Sequence, residues 1–130
     1  MDRFAAYGPT LLRLTLGVMF LAHAALKVFV FTIPGTVGFF GSLGLPPIAA
    51  YLTILAETGG GILLLLGWQT RLVALALLPV LLGATWAHAG NGWVFTAKGG
   101  GWEYPLFLTL SCAAQALLGA GAFSLDARKR

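Results

Sequence analysis

The stretch LAETGGGILLLLGWQTR, residues 55–71, decides the class of fold, because it places one carboxylate, Glu57, near the head of an otherwise apolar run. No charged residue precedes Glu57 back to Lys27, and none follows it before Arg71. A helix in water distributes charges along its exposed face, so a run of this kind is typical of a helix surrounded by lipid. A carboxylate in such a run needs either a partner that satisfies its charge or a functional role.

The overall composition also indicates a membrane protein. The chain has 130 residues, of which 58% are apolar and 9% are charged, and its mean hydropathy is +0.88. Soluble domains carry roughly 25% charged residues. A soluble domain of this size would expose too much surface to be covered by eight basic and four acidic side chains. We therefore predict an all-α integral membrane protein.

Four apolar segments divide the chain, and each is close to the roughly 20 residues with which a helix crosses a bilayer. They cover residues 8–31, 47–67, 72–89 and 104–123. No segment alternates apolar and polar residues as a porin strand does. The sequence predicts a four-transmembrane-helix bundle in a single domain, residues 1–130, with a short interfacial segment at 32–46 between the first two helices. The glycine-rich connection at 89–103 is either a flap over what lies beneath it or a plain link.

The basic residues predict the orientation, because they are concentrated on the cytoplasmic side of membrane proteins. Four crossings put most of them on one side and leave Lys27 and Lys98 on the other. The larger group consists of Arg3, Arg13, Arg71, Arg128, Lys129 and Arg130. Both termini are therefore predicted to be cytoplasmic.

Glu57 lies ten residues into its segment, near the middle of the bilayer at about 1.5 Å per residue. An acid at that depth costs at least about 2.5–3.5 kcal/mol unless it is satisfied, so we expect it to face the bundle interior with a partner. His23 fits the depth best, Lys27 comes next, and Arg13 has the longest reach. Glu57 is either a tie between two helices or a group that handles a proton or binds a ligand.

A polar cluster in the outer half of the bundle is the candidate site. Glu57 and His23 are the candidates for acid–base chemistry. The candidates for ligand contacts are Lys27, His88, Arg13 and Glu103. His88 also suits a position at the membrane interface, and Glu103 also suits the start of a helix, where its charge is favourable. No metal-ligand spacing occurs, so no metal site is predicted.

Several other chemistries are excluded or made less favourable. Cys112 is the only cysteine, so neither a CxxC dithiol nor an internal disulfide exists. The basic carboxyl end is explained by membrane orientation and anionic lipid, so nucleic acid is not an expected partner. His23 and His88, on different helices at similar depth, leave axial ligation of a haem b as a remote alternative. No intrinsic cofactor is evident.

Five stretches resemble the DoxX family of small four-span membrane proteins, and together they cover nearly the whole chain in order. They are LLRLTLGVMFLAHAALKVF at 11–29, FFGSLGLPP at 39–47, LAETGGGILLLLGWQTRLVAL at 55–75, EYPLFL at 103–108 and AGAFSLD at 120–126. Two positions depart from the family. Ala24 replaces the glycine that usually follows the first-helix histidine, and GAGAFSLD replaces GPGRYSLD, so no role is carried over for that missing arginine.

The resemblance implies a multi-pass protein of the bacterial cytoplasmic membrane, similar to the membrane subunit of thiosulfate:quinone oxidoreductase. By position, Arg13, His23, Lys27 and Glu57 match the family's recurring polar residues. The first hypothesis is a quinone-interacting subunit of a redox or oxidative-stress system, with a redox protein as partner. Whether the chain itself is an enzyme stays open. The alternative is a non-catalytic membrane anchor or assembly module for a partner oxidoreductase, and a homo-oligomer is compatible with both.

Overall fold

Every regular element in the described part of the chain is helical. The computed structural model describes residues 4–94, 96, 98 and 100–128. Its elements are α1 (Tyr7–Ala25), a π-helical turn (Leu26–Val30) that continues α1, α2 (Ile33–Ser42), α3 (Pro47–Leu66), α4 (Thr70–His88), a 3₁₀ turn (Ala89–Asn91), α5 (Glu103–Leu118) and α6 (Leu125–Arg128). The prediction of an all-α protein is confirmed.

Three helices in the described residues are long and apolar enough to cross a membrane. They are α1 with its π-helical turn (Tyr7–Val30), α3 (Pro47–Leu66) and α4 with the 3₁₀ turn (Thr70–Asn91). α5 is shorter than the predicted segment 104–123, because the chain leaves the helix at Gly119, where φ is 82°. At about 1.5 Å per residue its 16 residues rise roughly 24 Å, which is less than the roughly 30 Å of a bilayer core.

The four longer helices pack in the order α1, α3, α4 and α5, and α5 returns to contact α1. α1 and α3 approach closely at two glycines: a Cβ on Gly17 would lie 3.0 Å from the carbonyl oxygen of Gly61. The buried core between the helices includes Leu16, Phe20, Leu64, Leu77, Leu81 and Leu108. The outward faces are apolar as well, since Phe29 and Leu117 are each 81% exposed. An extended apolar surface of this kind suits contact with lipid.

Two ends of the molecule can be distinguished by the basic residue that each contains. The Arg13 end holds Arg13, the turn between α3 and α4, and residues 119–126. The Lys27 end is the opposite one and holds Lys27, α2 and the described residues of the connection 89–102. α2, which occupies most of the predicted interfacial segment 32–46, packs on α3 and on the π-helical turn.

The turn at the Arg13 end is held by a residue from far along the chain. α3 ends at Gly67, whose left-handed φ of 70° lets its N–H bond the carbonyls of the last helical turn. The Asp126 carboxylate accepts hydrogen bonds from the backbone N–H groups of Gln69, at 2.7 Å, and of Thr70, at 2.9 Å. Asp126 therefore caps the start of α4, where a negative charge is favourable.

Candidate functional site

Glu57 turns into the protein and pairs with Lys27 of the π-helical turn. Lys27 Nζ lies 2.8 Å from Glu57 Oε1, and the two side chains are 18% and 6% exposed. Among the described residues, no donor approaches Oε1 at the angles of a hydrogen bond, so the contact with Lys27 is described as an ion pair. The expected pairing of Glu57 with a first-helix side chain is confirmed, but the partner is Lys27 and not His23, which the depth argument favoured.

The backbone around Lys27 is irregular. In the π-helical turn, the N–H of Phe31 donates to the carbonyl of Leu26, five residues back, at 2.8 Å. Thr32 follows with a φ of 68°, which is unfavourable for a β-branched residue. The buried hydroxyl of Thr36 on α2 lies 2.9 Å from the carbonyl oxygens of both Lys27 and Thr32. Its single hydrogen therefore ties α2 to the turn that carries Lys27.

Arg13 is fully buried at the opposite end and has no donor left for a ligand. Nη1 donates to the carbonyls of Leu64 and Leu65 at 2.7 and 2.9 Å. Nε and Nη2 donate to the carbonyls of residues 120, 122 and 123 at 2.9–3.2 Å. A guanidinium has five N–H groups, and all are used here. Arg13 lies roughly 21 Å from Lys27 along the helix, so the prediction that it could pair with Glu57 is wrong. Its donors are all occupied by carbonyls, so the predicted ligand contact is also corrected. Arg13 instead ties α1 to α3 and to the carboxyl-terminal segment.

An open groove of about 900 Å³ lies between α1 and α5 at the Lys27 end. Its lining residues are Met19, Ala22 and His23 of α1, Leu26 of the π-helical turn, Glu103, Tyr104, Leu106, Phe107 and Leu110 of α5, and Trp93. The rings of His23 and Tyr104 stack with their centroids 6.1 Å apart. The groove is therefore mostly apolar, with His23, Glu103 and Tyr104 as the polar side chains of its wall.

His23 belongs to this groove and not to the ion pair. Its Nδ1 lies 2.7 Å from the carbonyl oxygen of Met19. A carbonyl can only accept, so Nδ1 carries the hydrogen and Nε2 of the neutral ring is an acceptor. Neither Lys27 nor Glu57 lines the groove. The predicted cluster is thus divided: His23 and Glu103 lie between α1 and α5, whereas Lys27 and Glu57 lie between the π-helical turn and α3.

The two ends of the connection between α4 and α5 are hydrogen-bonded to each other. The N–H of Trp102 donates to the carbonyl of Gly92 at 3.0 Å, and the N–H of Glu103 donates to the carbonyl of Trp93 at 3.2 Å. The rings of Trp93 and Trp102 meet edge to face with centroids 4.4 Å apart. These contacts hold Trp93 in place, and Trp93 forms part of the groove wall.

His88 is separate from both locations. Its Nδ1 lies 2.8 Å from the carbonyl oxygen of Ala84, and its ring lies near Gly100, where an added Cβ would be 3.3 Å from Cδ2. His88 does not line the groove that contains His23. The geometry therefore does not favour a haem b held by the two histidines. Among the described residues, no group of three or more His, Cys, Asp or Glu side chains is placed to hold a metal ion.

Sequence reasoning missed Tyr104 and Trp93 as site residues. Tyr104 begins the segment 104–123 and Trp93 follows the segment 72–89, and aromatic residues near the ends of apolar segments are ordinarily explained by the membrane interface. The signal that was present is the pair of tryptophans, Trp93 and Trp102, on either side of a glycine-rich connection. Two aromatic rings that bracket such a segment indicate that its ends meet.

The fold and the two polar locations define a small helical membrane protein with a buried ion pair and an apolar groove between helices. The chain belongs to the DoxX family, whose sequence profile matches residues 8–90. A protein of Bacillus subtilis (strain 168) named "Putative oxidoreductase CatD" is 32% identical over 131 aligned residues, which cover 97% of this chain and 90% of that relative. No solved structure matches the chain.

Proposed function

We propose that this chain is a quinone-interacting membrane component of a redox or oxidative-stress system. The observation that carries the proposal is the open apolar groove between α1 and α5 with His23 and Tyr104 stacked in its wall. Small-ligand sites are concave and mostly apolar, with a few polar groups that orient the ligand. Membership of the DoxX family and the oxidoreductase name of a relative support a redox role.

A quinone headgroup suits this groove chemically. Its flat ring packs on aromatic side chains, and its carbonyl oxygens need hydrogen-bond donors. In this proposal the hydroxyl of Tyr104, which lies 3.7 Å from Met19 Sδ, donates to a carbonyl oxygen of the quinone, and Nε2 of His23 accepts a hydrogen bond from a hydroxyl of the reduced quinol. Glu103 supplies an acid beside them, and Leu106 and Leu110 contact the isoprenoid tail. Lys27 and Glu57 do not touch the ring. The electrons come from a partner redox protein, which the proposal requires.

The proposal includes four crossings of the bacterial cytoplasmic membrane, with α5 as the fourth span and both termini in the cytoplasm. Exposed apolar side chains along α5, such as Phe107, Leu110 and Leu117, support contact of this helix with lipid. Reporter fusions after residues 40 and 98 should be periplasmic, and fusions after residues 69 and 130 cytoplasmic. A cytoplasmic reporter at residue 98 would overturn the arrangement.

Mass spectrometry of a lipid extract from the purified protein tests quinone binding. Ala22 is an exposed residue that lines the groove, and Ala25, three residues on, is exposed outside it. Ala22→Phe should fill the groove and abolish co-purified quinone, whereas Ala25→Phe should leave the quinone content unchanged. Both variants add the same ring to the same helix, so the pair separates groove filling from a general effect of a bulkier helix.

The alternative function gives the opposite result. A non-catalytic anchor or assembly module for a partner oxidoreductase needs no quinone, so extracts of wild type and both variants would then contain none above the lipid background. The partner protein would still co-purify after mild detergent extraction. That combination of results would replace the quinone proposal.

A further inference from the structure

The Lys27–Glu57 pair lacks what a purely structural ion pair needs. The Glu57 side chain is only 6% exposed, yet Oε1 receives no aligned hydrogen bond from any described residue. Attraction within a buried ion pair offsets the cost of desolvation only when the remaining lone pairs and protons are also satisfied. Arg13, on the same helix, meets that condition with every N–H group bonded to a carbonyl. The pair is therefore costly if its only task is to hold two helices together.

We propose that Lys27 and Glu57 form a proton-exchange site, in which Lys27 connects the buried carboxylate of Glu57 to water at the Lys27 end. Burial is graded in the direction that this requires, because Lys27 is 18% exposed and Glu57 is 6% exposed. Lys27 lies close to the end of its helix, whereas Glu57 lies ten residues into α3. The ligand of this site is a proton, and the exchange does not depend on a molecule in the groove between α1 and α5.

Few other charged groups are placed to influence Glu57. α2, which packs on α3, has no ionisable residue, and α4 carries Arg71 and His88 only near its two ends. The other titratable groups of α1 are Tyr7 at its start, Arg13 at the opposite end and His23 beside the groove. α3 itself carries Tyr51, which is half exposed and lies toward the start of the helix. The Lys27 ammonium is the one charged group among the described residues that contacts the carboxylate. Protonation of Glu57 therefore depends on Lys27.

The irregular backbone accounts for the position of Lys27. A π-helical turn inserts a residue into the helix and is frequently found at functional sites. The φ of Thr32 is 68°, which is strained for a β-branched residue, and such strain also concentrates at functional sites. The hydroxyl of Thr36 links the π-helical turn to Thr32 through contacts with the carbonyls of Lys27 and Thr32. Positive φ at a non-glycine residue also occurs at the Arg13 end, at Gln69 and Phe123, so the π-helical turn is the feature that distinguishes the Lys27 end among the described residues.

The exchange is balanced in two steps. First, a proton moves from Lys27 Nζ across the 2.8 Å contact to Glu57 Oε1, which leaves a neutral amine and a neutral carboxyl group. This neutral pair avoids the cost of charges in an apolar interior. Second, the amine takes a proton from hydronium in the water at the Lys27 end and becomes an ammonium again. The net result is one proton stored on Glu57, and the reverse steps release it.

Infrared spectroscopy of the purified protein in lipid nanodiscs, with no quinone added, tests the proposal. A protonated carboxyl group has a C=O stretching band that a carboxylate lacks. After a jump to acidic pH, we expect a band that is lost in Glu57→Gln and kept in Glu103→Gln. The chain has only four acidic side chains, so the assignment is direct. The absence of a Glu57-dependent band would overturn the proposal and leave the pair as a tie between helices.

Two substitutions of Lys27 separate exchange from attraction. Lys27→Arg keeps the positive charge, but a guanidinium does not release a proton. The Glu57 band should then appear about 100-fold more slowly, which is the lower end of what a positioned acid–base group contributes. In Lys27→Met the carboxyl group has no partner and should stay protonated, so its band should no longer respond to the jump. Wild-type kinetics in either variant would show that Lys27 does not carry the proton.

Discussion

Arg13 and Lys27 lie at positions 13 and 27 of the same helical run, and the two ends that they mark are built in different ways. At the Arg13 end, five carbonyls from α3 and from residues 120–123 accept hydrogen bonds from the guanidinium, which also interacts electrostatically with the carboxylate of Asp126. At the Lys27 end, an ammonium has a carboxylate partner, but the oxygen lacks an aligned hydrogen bond and the backbone is irregular. The two cations therefore differ: every N–H group of Arg13 is bonded, which indicates a structural role, whereas the partner oxygen of Lys27 has no aligned hydrogen bond, which leaves the pair open to a functional role. Backbone strain does not separate the two ends, because Gln69 and Phe123 at the Arg13 end also have positive φ.

The largest effect should come from Arg13→Met. The carbonyls of Leu65, Ala120 and Phe123 lose the donor that Arg13 supplies, whereas Leu64 and Ala122 keep a second donor, from Gly67 and Thr10. A buried unsatisfied polar group costs about 1–3 kcal/mol, so the loss of at least about 3 kcal/mol is a large part of the stability of a small protein. The variant should not give a monodisperse peak after detergent extraction. Arg71→Met is the control, since it removes an exposed basic residue at the same end and should extract as wild type does. Normal extraction of Arg13→Met would mean that this end is not held by its arginine.

Gly67→Ala should have the second-largest effect. Gly67 has a left-handed φ of 70°, and an added Cβ would overlap Ser124 and lie 3.1 Å from Arg13 Nη1. The backbone strain and the overlap together should cost about 2–4 kcal/mol, seen as a lower melting temperature in detergent. Gly59→Ala on the same helix is the matched control, because nothing lies within 4 Å of its added Cβ. An equal effect of the two substitutions would show that Gly67 is not confined by the carboxyl-terminal segment.

The apolar helices were predictable, and the end of the fourth was not. Hydropathy and length identify α1, α3 and α4, because a run of about 20 apolar residues has few other stable uses. α5 stops at Gly119 although apolar residues continue beyond it. There the chain turns so that its carbonyls meet Arg13. Backbone carbonyls are present at every residue, so no residue type in the sequence indicates that this segment binds an arginine.

The polar residues of the candidate site were predictable from the sequence, but their separation into a groove and an ion pair was not. His23 and Lys27 are four residues apart, which places them on one face of a regular helix. The π-helical turn begins at Leu26, between them, and it changes the direction of every side chain that follows. Lys27 therefore meets Glu57 of α3, while His23 meets Tyr104 of α5. Spacing arguments assume a constant helical period, so they could not separate the two.

We expect that apolar side chains can replace the Lys27–Glu57 pair without loss of stability, whereas no apolar side chain can replace Arg13. Glu57→Gln leaves the ammonium without its partner and should cost about 1–2 kcal/mol, less than either change at the Arg13 end. Substitution of both residues by methionine, Lys27→Met with Glu57→Met, should restore the free energy of unfolding to within about 1 kcal/mol of wild type, because apolar side chains often replace a buried ion pair without loss of stability. Melting temperatures of the two single variants and the double variant measure this. A double variant less stable than both singles would give the pair a structural role equal to that of Arg13.

The smallest effect should come from Cys112→Ser, a change that lies near the middle of α5 and belongs to neither end. Cys112 is buried, and its thiol donates to the carbonyl of Ala74 on α4 at 3.2 Å. A serine hydroxyl can make the same bond from a slightly smaller side chain, so the cost should stay below about 1 kcal/mol. The thiol should also resist maleimide in the folded protein and react once the protein is unfolded in SDS. A loss of stability as large as that of Gly67→Ala would mean that the side chains between α4 and α5 are packed as tightly as those at the Arg13 end. Tight packing would then not be particular to the Arg13 end.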